Sequence, residues 1–215
     1  MIISKAKPME EVLDFIGDKK RVFLTGCTQC ASLCQVGGEK ELSDMKTKLE
    51  KLGKEVTGTI VLDPSCHKLQ VRSSLRKQKN SLKDTDLILC MACGDGVQTI
   101  AGISKLPVYP ANDTLFIGEI ERIGQYSEAC RACGQCELGW TAGICPITRC
   151  AKSLLNGPCG GSKDGKCEVD SENDCAWILI YNRLKELDQL DNLTEVKEAK
   201  DYSKDANPRK LITRK

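Results

Sequence analysis

The sequence is poor in aromatic residues, which occupy 4% of its 215 positions. Hydrophobic residues as a whole reach 40% and charged residues 29%, as in ordinary globular proteins. A chain of this length can bury a core as one large domain or two small ones, but large side chains fill little of that core. Something else must hold part of the fold together, and bound metal is the obvious candidate.

The motifs of common catalytic sites are also missing. Histidine occurs once, as His67, and the sequence has no phosphate-binding loop and no nucleophile elbow of the G-x-S-x-G type. Gly94-Asp95-Gly96 lacks the third glycine of a dinucleotide-binding fingerprint, so we interpret it as a turn between a strand and a helix. The sequence therefore predicts that substrate chemistry happens on another chain.

A charge excess, a leader segment and a long apolar run are absent as well. The formal net charge is +2, with both signs mixed along the chain, which gives no electrostatic footprint for nucleic acid. The first residues lead into charged ones instead of an apolar leader, and no apolar run approaches the length of a membrane span. These observations predict a cytoplasmic protein that neither binds nucleic acid nor spans a membrane.

Cysteine, by contrast, is abundant, with fourteen residues. In the reducing cytoplasm these residues do not form a disulfide framework. Fourteen free thiols would be a large oxidation liability. We therefore expect most of the cysteines to bind metal.

The first half of the sequence alternates between strand-like and helix-like segments. Short β-branched or aliphatic runs separated by helical stretches are typical of right-handed βαβ units, and they predict an α/β fold with a parallel sheet. In the second helical stretch, Leu69 and Leu75 are expected to point inward. The predicted strands are residues 21–25, 56–62, 86–90 and 106–109, and the predicted helices are residues 38–52, 67–80 and 96–104.

The pattern divides the chain into three parts. Residues 1–118 form the predicted α/β domain, residues 119–192 a loop-rich domain organised by metal clusters and followed by a helix, and residues 193–215 a charged tail that is mobile or ordered only on a partner. Residues 111–129 are interpreted as a connector with a short helix near residues 117–123. The following residues should form one apolar face of the last helix: Trp177, Ile180, Tyr181, Leu184 and Leu187.

Eight of the cysteines fall within residues 130–175, and the first three are spaced C-x-x-C-x-x-C. Three thiols at this spacing on a glycine-interrupted loop can bind three irons of one [4Fe–4S] cluster, with a fourth ligand from elsewhere. Zinc sites more often use two separate C-x-x-C pairs, so the triplet favours iron–sulfur, with zinc knuckles as the alternative. Eight ligands suffice for two [4Fe–4S] clusters, although spacing does not divide them between the two. The predicted ligands are Cys130, Cys133, Cys136, Cys145, Cys150, Cys159, Cys167 and Cys175.

The other six cysteines fall in the predicted α/β domain, where Cys27, Cys66 and Cys90 come at the ends of three successive strands. Because the carboxyl ends of parallel strands share the edge at which ligands bind, we expect these thiols to converge. Cys34 lies in an adjoining segment. Spacing leaves open whether these cysteines hold a third cluster, a zinc ion or no metal. The predicted ligands are Cys27, Cys30, Cys66, Cys90 and Cys93.

Two short motifs in the cysteine-rich segment are specific, namely Asn156-Gly-Pro-Cys-Gly-Gly161 and Cys175-Ala-Trp177. With the cysteine triplet before them, they make residues 130–185 resemble the methylenetetrahydrofolate reductase C-terminal domain family. The segments around Cys27, Cys66 and Cys90 are also similar to the small iron–sulfur subunit of acetogen-type methylenetetrahydrofolate reductases. The resemblance therefore covers most of the chain.

This resemblance implies a partner. In that family the small iron–sulfur subunit accompanies a flavin-containing catalytic subunit, which reduces 5,10-methylenetetrahydrofolate to 5-methyltetrahydrofolate. The chain would then be a non-catalytic subunit that passes electrons to the partner's flavin, and further electron-donor subunits are compatible with this role.

Two other hypotheses stay open. In the first, zinc folds the cysteine loops and the chain is a structural or assembly subunit of the same type of complex. In the second, the chain assists methyl transfer through a zinc-activated thiolate among Cys27, Cys66 and Cys90. Metal analysis distinguishes the first alternative from an electron-transfer role.

Overall fold

The computed structural model describes residues 1–213, which form two compact units that meet between Tyr126 and Ser127 along the chain. The first unit holds a parallel sheet flanked by helices, and the second is mostly loops and turns. The strands are β1 Ile2–Ala6, β2 Arg21–Cys27, β3 Glu55–Leu62, β4 Leu87–Met91, β5 Val108–Pro110, β6 Asn112–Arg122 and β7 Gln125–Cys130. The helices are α1 Met9–Ile16, α2 Cys30–Leu33, α3 Glu39–Lys51, α4 Lys68–Lys77, α5 Lys79–Lys83, α6 Gly94–Ala101, α7 Pro146–Arg149 and α8 Ala176–Glu186.

The parallel sheet has the strand order β3-β2-β4-β5, and all of its neighbouring strands run in the same direction. This arrangement confirms the predicted α/β fold with a parallel sheet. The four strands are the four that the sequence pattern predicts, because each is a short run that follows a helix. Their carboxyl ends therefore share one edge, where the first cysteines lie.

Both faces of this sheet are covered by helices, as parallel sheets require. Val22 and Leu24 of β2 pack with α1 and α3 on one face, while Phe23 between them packs with α4 and α6 on the other. All three side chains are fully buried. The helix residues of the two cores are Val12, Ile16, Leu42 and Leu49 on the first face, and Val71, Leu75 and Ile100 on the second.

Local signals fix where the helices of the first unit start and stop. The Gly38 N–H before α3 donates to the Glu41 carboxylate at 2.9 Å, and Gly53 after the helix has φ +75°, which favours glycine. At the start of α4, His67 Nδ1 accepts the Gln70 N–H at 3.4 Å. The single histidine is thus an exposed helix cap.

A second sheet, of order β1-β6-β7, corrects the sequence prediction for residues 111–129. The predicted short helix near residues 117–123 is wrong, because β6 runs as a strand from Asn112 to Arg122. β1, for which no element was predicted, pairs antiparallel with β6 and supplies its hydrogen bonds. Pairing with a strand distant in sequence leaves no local signal.

The prediction that Leu69 points inward is also wrong. Leu69 lies in the first turn of α4 and is 71% exposed, whereas Leu75 is buried as predicted. The inward positions of α4 are Val71 and Leu75, which lie four residues apart on one helix face.

The second unit packs around α8. Trp177, Ile180 and Leu184 are buried as predicted, whereas Tyr181 and Leu187 of the predicted face are 47% and 42% exposed. The helix therefore buries a narrower stripe than the pattern indicates, because α7 and the loops around it cover one side.

The segment after α8 is part of the second unit. Asn156 and Lys197 exchange two hydrogen bonds of 2.9 and 2.7 Å, and Lys200 is buried. These contacts attach residues 197–200 to the second unit, while the mobility of the charged tail, or its ordering on a partner, stays a prediction. None of the helices in residues 1–213 has the length and apolar character that a membrane crossing requires.

Candidate metal-binding sites

The carboxyl edge of the parallel sheet gathers four of the first six cysteines. Cys27 ends β2, Cys66 follows β3, Cys90 lies in β4, and Cys93 directly precedes α6. The thiols of Cys27 and Cys93 affect the pKa of both Cys66 and Cys90, so the four side chains lie near one another. The structure thus brings together the three thiols expected to converge, and adds Cys93. Their role as ligands stays a prediction.

Burial disfavours ionisation of the Cys66 and Cys90 thiols. It raises the pKa of the Cys90 thiol to about 12, and the pKa of Cys66 is raised by burial and then by the nearby Asp95 carboxylate. A metal that binds here displaces thiol protons, so its uptake would be coupled to pH.

The loop between β2 and α3 passes over this edge and carries Cys30 and Cys34. A Cβ atom at Gly37 would lie 1.8 Å from the main-chain oxygen of Met91, so the close approach of the loop to β4 requires glycine. Cys30 Sγ accepts the Ile2 N–H at 3.4 Å, and the Cys34 thiol donates to the Ile2 oxygen at 3.8 Å. These two cysteines therefore contact β1.

Two buried hydroxyls at this edge meet no hydrogen-bond partner within the described residues. Ser65 Oγ is next in sequence to Cys66, and Ser4 Oγ lies on β1, whose backbone at Ser4 hydrogen-bonds Cys34. A buried hydroxyl without an acceptor is uncommon, and sulfur atoms bound to metal are suitable acceptors. The residues at this edge therefore fit a thiolate-bound metal.

In the second unit, the C-x-x-C-x-x-C triplet forms a loop that starts at the end of β7. The backbone turns sharply through the left-handed region at Ala132, with φ +54°, and at Gly134, with φ +79°. The Ala132 N–H donates to Cys130 Sγ at 3.3 Å, an N–H···S contact of the kind that supports metal-bound sulfur. Cys145, the next cysteine, directly precedes α7, whose first residue is the buried Pro146.

The last four cysteines line one cavity. Cys150, Cys159, Cys167 and Cys175 surround a space of about 20 Å³, and Trp177 forms part of its wall. Cys175 is buried at the start of α8, and the others come from the loops before it. Four of the eight cysteines thus line this cavity, and the other four lie on residues 130–145.

One cysteine of this cavity has a lowered pKa. The Gly161 N–H, followed by the ammonium of Lys152, lowers the pKa of the Cys159 thiol. Lys152 also pairs with Glu168, which lines the same cavity. Donors that stabilise a sulfur anion suit a site whose ligands must be deprotonated.

Within residues 1–213, no three His, Cys, Asp or Glu side chains converge closely enough to hold a single metal ion. The donor sets are nevertheless all sulfur, since the lone histidine caps a helix. Thiolate sets of four are the ligands of [4Fe–4S] clusters and of structural zinc. The cysteines present therefore suit either a [4Fe–4S] cluster or a structural zinc ion.

Sequence reasoning missed a buried ion pair beside the triplet. Lys200 lies 3.1 Å from Glu137, and their side chains are 3% and 11% exposed. Glu137 directly follows Cys136, but Lys200 lies in a charged segment without periodicity, so no pattern in the sequence pairs them.

Comparison with known proteins gives one family. Residues 109–203 match the model of the family described as "Methylene-tetrahydrofolate reductase C terminal". No curated protein matches the chain. The matched range contains all eight carboxyl-terminal cysteines and none of the first six. It confirms the resemblance predicted for residues 130–185: this part of the chain matches the methylenetetrahydrofolate reductase C-terminal family.

Proposed function

We propose that the chain is the iron–sulfur electron-transfer subunit of a methylenetetrahydrofolate reductase complex. The observation that carries the proposal is that four cysteines line one cavity inside the region that matches the family. The remaining four cysteines of that region supply a second set of the same size. The family match supports a complex with a catalytic partner. A partner is needed because the sequence shows no catalytic motif.

In this proposal, Cys130, Cys133, Cys136 and Cys145 hold one [4Fe–4S] cluster, and the four cavity cysteines hold another. Such clusters, when bound, accept and release one electron at a time. The chain's own residues would bind them, shield them and adjust their charge. Trp177 walls the cavity with an apolar surface, and the Gly161 N–H stabilises anionic sulfur at Cys159.

The partner would carry the flavin and the folate. Reduction of 5,10-methylenetetrahydrofolate to 5-methyltetrahydrofolate takes up two electrons and two protons. A low-potential one-electron donor would supply the electrons singly to this chain, which would pass them to the partner's flavin. The protons and the substrate would bind on the partner.

For the first unit we propose a metal held by Cys27, Cys66, Cys90 and Cys93, as a third cluster or a zinc ion. Cys30 was a predicted ligand as well, and it lies beside Cys34 with its sulfur bonded to the Ile2 N–H. Cys27, Cys90 and Cys93 are buried and Cys66 is exposed, and one metal bound by the four would join β2, β3 and β4.

The test is the metal content of two variants that change the same cavity. Cys167→Ser removes a proposed ligand, and Ser162→Ala changes a neighbouring side chain that is not one. From anaerobic purification we expect wild type and Ser162→Ala to hold at least about eight irons and eight sulfides per chain. Cys167→Ser should lose about four of each.

A wild-type chain that contains zinc without iron or sulfide would contradict the proposal and favour the zinc-folded assembly subunit. Full iron in Cys167→Ser would instead contradict the ligand assignment.

A further inference from the structure

Lys200 is buried although it carries an ammonium group. Its side chain is 3% exposed, and it lies in the segment after α8. Lysines are almost never fully buried unless paired, because an ammonium group loses favourable hydration when it leaves water. The position therefore needs partners that compensate the charge.

The partners of Lys200 all belong to the cysteine triplet loop and its continuation. The ammonium lies 3.1 Å from Glu137 Oε1 and donates to the main-chain oxygen of Gln135. The Cys133 thiol donates to the same oxygen at 3.4 Å, so the ammonium lies beside the Cys133 sulfur. Glu137 is itself fixed, because its Oε2 accepts the Trp140 Nε1–H at 2.7 Å. A single positive charge is thus held against the sulfur of a predicted ligand.

Other contacts hold the surrounding segment to the same loop. The Asp201 N–H donates to Gln135 Oε1 at 2.9 Å, and the Arg209 guanidinium donates to the Ala132 oxygen. A Cβ atom at Gly134 would lie 2.8 Å from the Lys204 oxygen, so glycine lets the segment pass close over the loop. The segment after α8 therefore covers one side of the cysteine triplet loop.

We propose that Lys200 is a positioning residue that raises the reduction potential of the cluster held by the Cys130–Cys145 set. This inference rests on the proposed function. When a [4Fe–4S]²⁺ centre takes up one electron and becomes [4Fe–4S]⁺, negative charge increases at its sulfur ligands. A buried ammonium beside the Cys133 sulfur stabilises the reduced state more than the oxidised state, which raises the potential. Glu137 offsets part of this charge.

A purely structural role for Lys200 predicts the opposite sign. If the side chain merely held the segment in place, its loss would admit water to the cluster. Water stabilises the more highly charged reduced state, so the potential would rise. Loss of an electrostatic effect lowers the potential, and the direction of the shift therefore separates the two roles.

The experiment is a dithionite redox titration of the full-length, anaerobically purified chain, followed by electron paramagnetic resonance. In Lys200→Gln we expect the electron-binding equilibrium of one cluster to weaken at least about tenfold, equal to 59 mV for a one-electron couple. The second cluster should be unchanged. Lys200→Arg keeps the charge and should restore the wild-type potential, and Glu137→Gln should raise it.

The matched control is Lys204→Gln. Lys204 lies in the same segment, but its side chain is 50% exposed, and we expect both potentials to stay at their wild-type values. A Lys200→Gln protein with full iron and with both potentials unchanged or raised would overturn the proposal.

If Lys200→Gln fails to retain iron, the reduction potential of Glu137→Gln is the test. An unchanged potential in Glu137→Gln would contradict the proposal. A wild-type chain without iron would overturn the proposed function itself, and with it the role of Lys200. That outcome differs from one in which the variants hold full iron but their reduction potentials do not shift, which would overturn only the role of Lys200.

Discussion

Asp86 shows how one carboxylate fixes the start of the parallel sheet. Its two oxygens accept from the Arg21 N–H and the Arg21 guanidinium, both at 2.9 Å, and from the Lys20 N–H at 3.2 Å. The side-chain hydrogen bond from Arg21 is the main reason that the pKa of Asp86 falls to about 2. The charged form of Asp86 thus joins the start of β2 to the start of β4.

The low pKa of Asp86 predicts a pH-dependent contribution to stability. A carboxylate with a lowered pKa stabilises the fold above its unfolded pKa of 3.8, and this contribution is lost as pH falls from about 4 towards 2. Asp86→Asn should therefore lower the urea midpoint at neutral pH, and its difference from wild type should shrink near pH 3.

The control for Asp86→Asn is Asp84→Asn, which changes an exposed neighbour. Urea unfolding followed by circular dichroism at several pH values measures both variants. A difference between Asp86→Asn and wild type that is independent of pH would show that the carboxylate charge is not responsible.

Gly37 tests the geometry of the cysteine-bearing sheet edge. Because a Cβ atom there would lie 1.8 Å from the Met91 oxygen, Gly37→Ala must push the loop away from β4. We expect a loss of about 1–3 kcal/mol in the free energy of unfolding, with reduced metal in the first unit. Gly102→Ala, at an ordinary φ of −71°, should change stability by less than about 0.5 kcal/mol. Equal stability of the two variants would contradict the close packing at Gly37.

At the scale of elements, α8 organises the second unit through a narrow buried stripe. Leu184 is fully buried and Leu187, one turn later, is 42% exposed. Leu184→Ala should cost about 2–5 kcal/mol because it leaves a cavity, and Leu187→Ala less than about 0.5 kcal/mol.

The measurement for this pair is the denaturant midpoint of the metal-loaded chain, with release of iron followed in the same experiment. Because Cys175 directly precedes α8, iron release should track unfolding in Leu184→Ala. A Leu187→Ala variant as unstable as Leu184→Ala would show that the helix packs through the broader face indicated by the sequence.

The sequence predicted the elements whose signals are local. β2, β3, β4 and β5 are short runs that each follow a helix, and each was found from its own residues. β6 was missed because its partner, β1, lies more than a hundred residues earlier in the chain, and Leu69 was misplaced because the helix phase is set by packing at Val71 and Leu75. Long-range strand pairing and side-chain packing cannot be predicted from a short stretch of sequence.

The candidate sites follow the same rule. The convergence of Cys27, Cys66 and Cys90 was predictable because parallel strands end at one edge. The cavity lined by four of the second-unit cysteines depends on how loops fold around α8, and the pairing of Lys200 with Glu137 depends on the path of an irregular segment. The spacing of residues in the sequence predicts neither the cysteine arrangement nor the Lys200–Glu137 pair.

At the scale of the whole molecule, the two units differ in how their thiols are held. In the first, a regular sheet places four cysteines at its edge, and the fold has its own cores of aliphatic side chains. In the second, long loops carry eight cysteines around a small core built on α8. Removal of metal should therefore unfold the second unit before the first.

Chelator treatment under anaerobic, reducing conditions tests this order of unfolding. We expect Trp140 and Trp177, both in the second unit, to lose their native fluorescence while most of the circular dichroism of the parallel sheet persists. Simultaneous loss of both signals would show that the first unit also depends on metal for its fold.

The central claim is that this chain carries two [4Fe–4S] clusters on the cysteines of its second unit. Electron paramagnetic resonance of the anaerobically purified, dithionite-reduced chain tests it most directly, with spin counting against protein. We predict at least two reduced [4Fe–4S]⁺ centres per chain, with one lost in Cys167→Ser and none lost in Ser162→Ala. A reduced chain without a paramagnetic iron–sulfur signal, and with zinc bound to its cysteines, would contradict the account.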